Sequence, residues 1–276
     1  MASPVRETLF RPAGRLASYV RCFQLLSTAS SVRASVLDFG GGDVSVPLCF
    51  GSPLLVEDWN RAEVQSAAVV GPRRRAVWLQ LNGDVDQVNI SFFPGAAGSF
   101  VGLSMPELVD EMASPDDVWP RQFQQAFADL APLPAEERVA RLAQLLLSRL
   151  DPRRELRPQI REAVRLIRQM RGRVRVGWLA YEVNLSISQL ERDFKDRIGL
   201  TPKLLARQTR VAALAADAMR NGPPAWARLA ADYGYADQAH LTRDFRDLTG
   251  LTPSEFVGVE PDAEFLQDAL ARPRRS

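Results

Sequence analysis

The chain has 276 residues, a hydrophobic fraction of 46% and a formal net charge of +2, values typical of a globular protein long enough for two domains. It contains two cysteines and one histidine, which excludes zinc knuckles, multi-histidine metal centres and a disulfide framework. Because it lacks both a run of about 18 apolar residues and a secretory leader pattern, we expect a cytoplasmic protein with no membrane contact.

The first half of the chain has the pattern of a β-rich domain. From about residue 18 to residue 94, short apolar or alternating runs are separated by Gly, Pro, Asn and Asp clusters, which predicts a small barrel or sandwich. After Gly95 the pattern changes to helices. We predict an N-terminal domain over residues 1–157, β-rich over 1–95 and helical over 99–150, with a linker at its end.

Several local features of this half have a structural and a functional interpretation. The glycines at 40–42 lack the strand-GxGxxG-helix context of a nucleotide site and predict a turn. The arginines at 73–75 could hold an acidic ligand, but a solvated turn is favoured. Core packing is favoured over a ligand pocket for the tryptophans at 59, 78 and 119. Segment 94–98 precedes a helix and could offer backbone donors to an anion, the less favoured option. Cys22 and Cys49 lie in separate apolar stretches, which favours buried, inert thiols over a redox switch.

The second half is predicted to be entirely helical, with about seven helices. Two short ones, over 176–183 and 187–198, flank a tight turn in which Asn184 tolerates a left-handed backbone. Ser186 and Gln189 form a capping pair, and Gly199 ends the second helix. Pro202 then begins a helix that runs to about Arg220.

The same helix-turn-helix plan occurs twice in this half. Residues 178–202 recur loosely at 228–253, and eight identical positions lie at a fixed offset of 51, as expected of a repeated structural unit. The identical pairs are Leu190 and Leu241, Arg192 and Arg243, Asp193 and Asp244, Phe194 and Phe245, Gly199 and Gly250, Leu200 and Leu251, Thr201 and Thr252, and Pro202 and Pro253.

The second helix of each unit is predicted to have one buried and one open face. The residues expected to be buried are Ile187, Leu190, Phe194 and Ile198 in the first copy, and Leu241, Phe245 and Leu248 in the second. The open faces carry polar groups and arginines, which suit base edges and phosphates. The connecting helix spans roughly 28 Å, which could bring both open faces to adjacent major grooves about 34 Å apart.

The alternative is a helical core repeat that binds nothing. Arg192 and Arg243 would then pair with the acids four residues later, Asp196 and Asp247, as ordinary surface ions. Glu191 and Asp193 would also place negative charge near the proposed DNA surface.

The repeat resembles the arabinose-regulator (AraC/XylS) family of bacterial transcription regulators. The similarity covers roughly residues 160–257 and rests on the pattern Ser-x-x-x-Leu-x-Arg-x-Phe-Lys-x-x-x-Gly-Leu-Thr-Pro and on a second, Tyr-Gly-Tyr copy. The resemblance implies that the third and sixth helices of the domain read DNA. It carries the DNA-binding role to Ser188, Gln189, Arg192, Lys195, Gln238, His240, Thr242, Arg243 and Arg246. It also implies an N-terminal sensor or dimerisation domain, often a cupin-like barrel.

The two copies are not equivalent on their open faces. The first carries Glu191 where the second has Thr242, so the second is expected to make the stronger DNA contact. His240 is either a packing residue at the front of its helix or a phosphate contact.

Together these observations predict an α+β two-domain protein. It has a β-barrel or cupin-like N-terminal domain with flanking helices, an all-α tandem helix-turn-helix domain over 158–257, and a tail over 258–276. The predicted function is a sequence-specific transcription regulator that responds to a small-molecule effector, with no enzymatic activity, catalytic residue, cofactor or metal. Its expected partners are double-stranded promoter DNA and the effector, with RNA polymerase and a second copy of the chain, bound through the N-terminal domain, as further partners.

Two rival functions stay open at the sequence level. A cupin-like enzyme would need a histidine cluster, which the first half lacks. A protein-binding antagonist could retain the helix-turn-helix fold and would bind DNA weakly or not at all.

Overall fold

The computed structural model describes residues 5–28, 31–56, 62–221 and 225–258. Trp59 and the tail from residue 259 onward lie outside these ranges. The strands are β1 (Val5–Phe10), β2 (Val20–Thr28), β3 (Val32–Asp38), β4 (Ser45–Cys49), β5 (Leu54–Val56), β6 (Ala62–Val64), β7 (Val69–Val70), β8 (Val77–Gly83), β9 (Asp86–Phe92) and β10 (Met112–Ala113). The helices are α1 (Pro115–Val118), α2 (Arg121–Ala128), α3 (Ala135–Arg149), α4 (Pro158–Gln169), α5 (Val176–Glu182), α6 (Ile187–Ile198), α7 (Pro202–Asn221), α8 (Trp226–Asp232), α9 (Gln238–Thr249) and α10 (Pro253–Gly258).

The N-terminal half forms two antiparallel sheets. One has the order β1-β2-β9-β4-β7-β10 and the other β3-β8-β5-β6. Successive side chains of a strand point to opposite faces of its sheet, so that one face is buried and the other is open. In β3, Ala34 and Val36 are buried, whereas Arg33 and Ser35 are exposed. The prediction of a β-rich domain followed by an all-α domain is confirmed. The sheets, however, do not close into a barrel.

Helices α2 and α3 complete the N-terminal core by covering the six-stranded sheet. Leu142 and Leu146 of α3 are buried with Phe23 and Phe92 of the sheet. Trp119 lies in the same core, where its indole N–H donates to the Phe100 carbonyl at 3.3 Å. The favoured assignment of this tryptophan to core packing is therefore confirmed. Among the described helices, none has the length and apolarity to cross a membrane.

The C-terminal half contains the predicted helix-turn-helix units with their predicted caps. Ser186 accepts a hydrogen bond from the Gln189 N–H at 3.2 Å, and Asn184 adopts the left-handed conformation at φ 53°. Gly199 ends α6 at φ 84°, and Gly250 ends α9 at φ 78°. Local capping chemistry fixes these helix ends, so they could be predicted from the sequence.

One predicted core residue of the first unit was assigned to the wrong environment. Ile187 is 49% exposed, whereas Leu190, Phe194 and Ile198 are buried as predicted. Ile187 is the first residue of α6, directly after the cap. The buried residues of α6 start one turn later, at Leu190. The apolar periodicity therefore predicts one buried position too many.

The N-terminal domain packs directly into the cores of both helix-turn-helix units. Leu37, Phe39 and Ala76 are buried in the same cluster as the core residues of α7, α9 and α10. Val109 belongs to the core cluster of the first unit. Nothing in the local sequence patterns indicates these contacts, because they join residues more than 50 positions apart.

Two glycine segments form part of this interface. Gly40, Gly41 and Gly42 have positive φ and form the predicted turn. A Cβ added at Gly42 would lie 2.9 Å from Leu205 Cδ1 of α7, so the turn packs closely on the helical domain. Gly95 lies against Leu156 and α6 in the same way. Gly95 therefore packs against α6, which agrees with the favoured structural interpretation of segment 94–98.

Candidate nucleic-acid interface

The nine candidate DNA-binding residues lie on the outer faces of α6 and α9. Those that are exposed are Ser188, Arg192, Lys195, Gln238, His240, Arg243 and Arg246. Gln189 and Thr242 are half-buried. The Thr242 hydroxyl donates to the Gln238 carbonyl at 2.9 Å, which fixes its rotamer. The two helices thus present two groups of polar and cationic side chains to solvent.

The cationic members of this set are not held by ion pairs within the part of the chain that the structure describes. Arg192, Lys195, Arg243 and Arg246 form no salt bridge with any residue that the structure describes. The i,i+4 pairs that Arg192 and Arg243 could have made with Asp196 and Asp247 do not form. Their guanidinium groups are therefore available to an external anion.

In both copies of the repeat, one acidic side chain of the second helix, α6 or α9, points inward. Asp193 of α6 accepts a hydrogen bond from Arg157 at 2.7 Å, and Asp244 of α9 accepts one from Arg207 at 2.6 Å. Asp193 therefore does not place a free negative charge on the outer face. Instead, each acid anchors its recognition helix to the helix behind it. The sequence signal for this role was the Arg-Asp-Phe triplet that both copies share.

The anchor of α9 is the more extensive of the two. Tyr235 donates its hydroxyl to Asp244 at 2.9 Å, and the Arg210 guanidinium lies 5.2 Å from the Tyr235 ring centroid. Burial, and then the neighbouring Asp244 carboxylate, raise the pKa of Tyr235, so the phenol stays protonated and donates. This network holds α9 at a fixed angle on α7.

A cleft of about 700 Å³ lies between the two units. Its walls come from the start of α5, from α7 and from α9. The charged and titratable residues that line it are Arg175, Lys203, Arg207, Arg210, His240, Arg243, Asp244 and Asp247. The two acids are both bound by Arg207, so the remaining cations give the cleft a positive character that suits phosphate oxygens.

His240 has features of both a packing residue and an exposed residue that could contact phosphate. Its backbone N–H donates to the Asp237 carboxylate at 2.6 Å, which caps α9, and its ring packs edge-on to Tyr235 at a centroid distance of 5.3 Å. The side chain is nevertheless exposed and lines the cleft.

A second ionic network ties the two units to the connecting helix. Arg171, with φ 53°, donates to Asp217 of α7 at 2.8 Å, and the Tyr233 hydroxyl donates to the same carboxylate at 2.6 Å. Burial raises the pKa of Asp217, but the hydrogen bonds from Arg171 and Tyr233 outweigh burial and the net shift is downward. The first unit, α7 and the second unit are therefore joined through one ionised carboxylate.

The arginine run at 73–75 forms a bend just before β8, and only its first residue departs from the predicted solvated turn. Arg73 is only 5% exposed and pairs with Asp38 at 2.5 Å, while its carbonyl accepts a hydrogen bond from Gln208 of α7. Arg74 pairs with Asp110 at 2.8 Å. The side chains of Arg74 and Arg75 nevertheless stay largely open to solvent, at 63% and 73% exposure.

The two cysteines lie apart and are both free. Burial raises the pKa of Cys49 to about 11 and also raises the pKa of Cys22, so both thiols are protonated at neutral pH and react slowly. Among the described residues, no group of His, Cys, Asp or Glu side chains could hold a metal ion.

Two family models match the chain. One, described as a helix-turn-helix domain, matches residues 179–258. The other, described as a domain of unknown function, matches residues 8–114. The first match covers both helix-turn-helix units of the C-terminal domain, whose sequence resembles the AraC/XylS family. The chain is accordingly a DNA-binding transcription regulator that carries a helix-turn-helix domain after a separate N-terminal domain. Among proteins with curated functions, none matches the chain.

Solved structures with similarity to the chain include regulators from two bacteria. The C-terminal domain of AraT, a response regulator from Geobacillus stearothermophilus, aligns with 40% of this chain and 93% of its own at 20% identity and a TM-score of 0.36. ToxT from Vibrio cholerae aligns with 92% of this chain and 98% of its own at 10% identity and a TM-score of 0.45. Because both scores are below 0.5, the domain assignment rests on the chain's own elements and on the family models.

Proposed function

We propose that this AraC/XylS-type regulator recognises promoter DNA with α6 and α9 and that a small-molecule effector acts on its N-terminal domain, residues 1–157. DNA recognition is the part that the geometry supports best. The N-terminal domain binds rather than catalyses in this proposal, since it lacks the histidine cluster that a cupin-like metal enzyme would need.

The observation that carries the DNA-reading role is the equivalent placement of Arg192 and Arg243. Each lies on the outer face of its helix, exposed and without a salt-bridge partner in the described structure, while the neighbouring Asp193 and Asp244 are turned inward. An unpaired guanidinium on an exposed helix can read guanine or bind phosphate. A core repeat that bound nothing would have no need to hold both arginines free.

The connecting helix gives the two arginines a fixed separation. Helix α7 has 20 residues and spans about 30 Å. That length is close to the 34 Å between successive major-groove faces of B-DNA. The cationic cleft between the units would then face the backbone that separates the two grooves.

The effector-responsive part of the proposal rests on how the domains are joined. The N-terminal domain supplies Phe39 and Ala76 to the core of the second unit and Val109 to the core of the first. A ligand that shifted these residues would change the relative placement of α6 and α9. Dimerisation through the N-terminal domain, contact with RNA polymerase and a cytoplasmic location extend the proposal and rest on the resemblance to the family.

The test is DNA selection followed by quantitative binding. The purified full-length chain is used to select sites from a random duplex library, and affinity for the selected site is measured at several salt concentrations. Arg243→Ala is expected to weaken binding by about 1–3 kcal/mol and to relax the sequence preference. The matched control is Arg165→Ala, because Arg165 is exposed on α4 and pairs only with residues of its own helix. Salt-insensitive binding by the wild type, or equal affinities for the Arg243 and Arg165 variants, would contradict the proposal.

A further inference from the structure

Three successive arginines of the N-terminal domain have three different environments. Arg73 is buried against Asp38. Arg74 is held by Asp110, which binds both its guanidinium and its backbone N–H. The side chain of Arg75 is 73% exposed, and its one ionic neighbour is Asp247, at 3.9 Å. Of the three, only Arg75 has its hydrogen-bonding capacity largely unused.

The backbone fixes Arg75 beside the second recognition helix. The N–H of the next residue, Ala76, donates to the carbonyl of Leu248 in α9 at 2.7 Å. Ala76 itself is buried in the core of the second unit. Arg75 is therefore attached to the end of α9 by a contact that spans the two domains, although it belongs to the N-terminal domain in sequence.

The side chain lies next to the cationic cleft, because its neighbour Asp247 is one of the residues that line it. Asp247 lines that cleft together with Arg243, which is four residues earlier in α9 and hence adjacent on the helix surface. The other oxygen of Asp247 is already bound by Arg207 at 2.6 Å. The 3.9 Å contact between exposed groups holds Arg75 only weakly, so this guanidinium can exchange Asp247 for a stronger anion.

We propose that Arg75 is part of the DNA interface and binds a backbone phosphate next to the bases that α9 reads. This inference rests on the proposed function, since it requires DNA in the cleft. It adds a contact from outside the helix-turn-helix domain. The affinity for DNA would consequently depend on where the N-terminal domain sits, because a shift of residues 73–76 relative to α9 would remove one phosphate contact.

The test compares the salt dependence of binding for the full-length wild type and three variants on the selected DNA site. Each phosphate contact contributes about 0.9 to the slope of log affinity against log salt. Arg75→Gln is expected to reduce the magnitude of the slope by about that amount and to weaken binding to selected and unrelated duplexes by the same factor. Arg75→Lys keeps the charge and should keep the slope.

The matched control is Arg33→Gln. Arg33 is an exposed arginine of β3, the strand that pairs with β8. Its partner there is Asn82, at the end of β8 that is distant from Arg75 and Ala76. The inference would be overturned if Arg75→Gln and Arg33→Gln gave the same slope of log affinity against log salt. It would also be overturned if Arg75→Lys reduced that slope as much as Arg75→Gln does. If Arg243→Ala still weakens binding in either case, the proposed function stands without this contact. If the wild type does not bind DNA, or binds it with an affinity that does not depend on salt, the proposed function itself fails.

Discussion

The ring of Phe39, from the N-terminal domain, packs edge-on against Phe245 of the second recognition helix, with centroids 6.4 Å apart. Phe39 also contacts Phe256 of α10 at 5.5 Å. Phe245 is buried on the inner side of α9, opposite the exposed Arg243 and Arg246. The core beneath this recognition helix is therefore completed by a residue of the other domain.

Removing the Phe39 ring should loosen α9 specifically. Phe39→Ala is expected to lower the free energy of unfolding by about 3–5 kcal/mol, as for other buried aromatic truncations, and to increase amide hydrogen exchange in α9. Phe23→Ala is the control, since Phe23 is fully buried in the N-terminal core away from α9. Equal exchange in α9 for the two variants, measured by mass spectrometry, would show that Phe39 does not support the recognition helix.

The equivalent glycines of the two repeats should differ in their tolerance of alanine. Gly199 and Gly250 both end a recognition helix at positive φ, so alanine costs each about 1–2 kcal/mol of backbone strain. A Cβ at Gly199 would also lie 2.5 Å from Val109 Cγ2 and 3.0 Å from the Met105 carbonyl oxygen, whereas at Gly250 nothing lies within 4 Å.

Urea denaturation can measure this difference. Gly199→Ala should lower the free energy of unfolding by about 1–3 kcal/mol more than Gly250→Ala, because it overpacks the interface with the N-terminal domain. A difference close to zero would mean that the 100–110 segment does not pack on α6 as described.

The Asp217 network should make stability depend on pH in the acid range. The pKa of Asp217 is lowered in the folded state, so its contribution is fully present above the unfolded value of about 3.9 and is lost as pH falls through the lower folded value. Asp217→Asn is expected to cost roughly 1–2 kcal/mol at pH 7. That cost should shrink below about pH 4. Thermal or urea unfolding at several pH values checks this, and a cost independent of pH down to pH 2 would contradict the assignment.

The acid on the outer face of α6 should weaken DNA binding by the first unit. Glu191 is exposed at the position that Thr242 occupies in the second unit. Glu191→Thr is expected to raise affinity for the selected site several-fold at low salt, since it removes repulsion from phosphates. Glu136→Gln, an exposed acid of α3, serves as the control for net charge. If Glu191→Thr instead lowered affinity, Glu191 would be a base-reading residue, such as an acceptor for cytosine.

Much of the helical domain could be predicted from sequence because its signals are local. The bounds of α6 and α9, the capping of α6 by Ser186 and the glycines at both helix ends depend on residues within one or two turns of one another. Because the two copies share these residues, the structure of the second unit could be predicted from the first. The outward placement of Arg192 and Arg243 followed from the same helical period and agrees with the structure.

Other features depend on contacts between residues far apart in the chain, and local patterns carry no information about them. The arginines at 73–75 look alike in sequence, yet Asp38 and Asp110 bind the first two and α9 positions the third. The local sequence predicts that Asp193 is a free surface charge, because its partner, Arg157, is 36 residues away. The sequence by itself determined the helices, their caps and the faces that could meet DNA, because hydrogen bonding and side-chain period are local. Only the tertiary structure decided that the N-terminal domain completes both helical cores, because that depends on which apolar surfaces bury each other once the chain has folded.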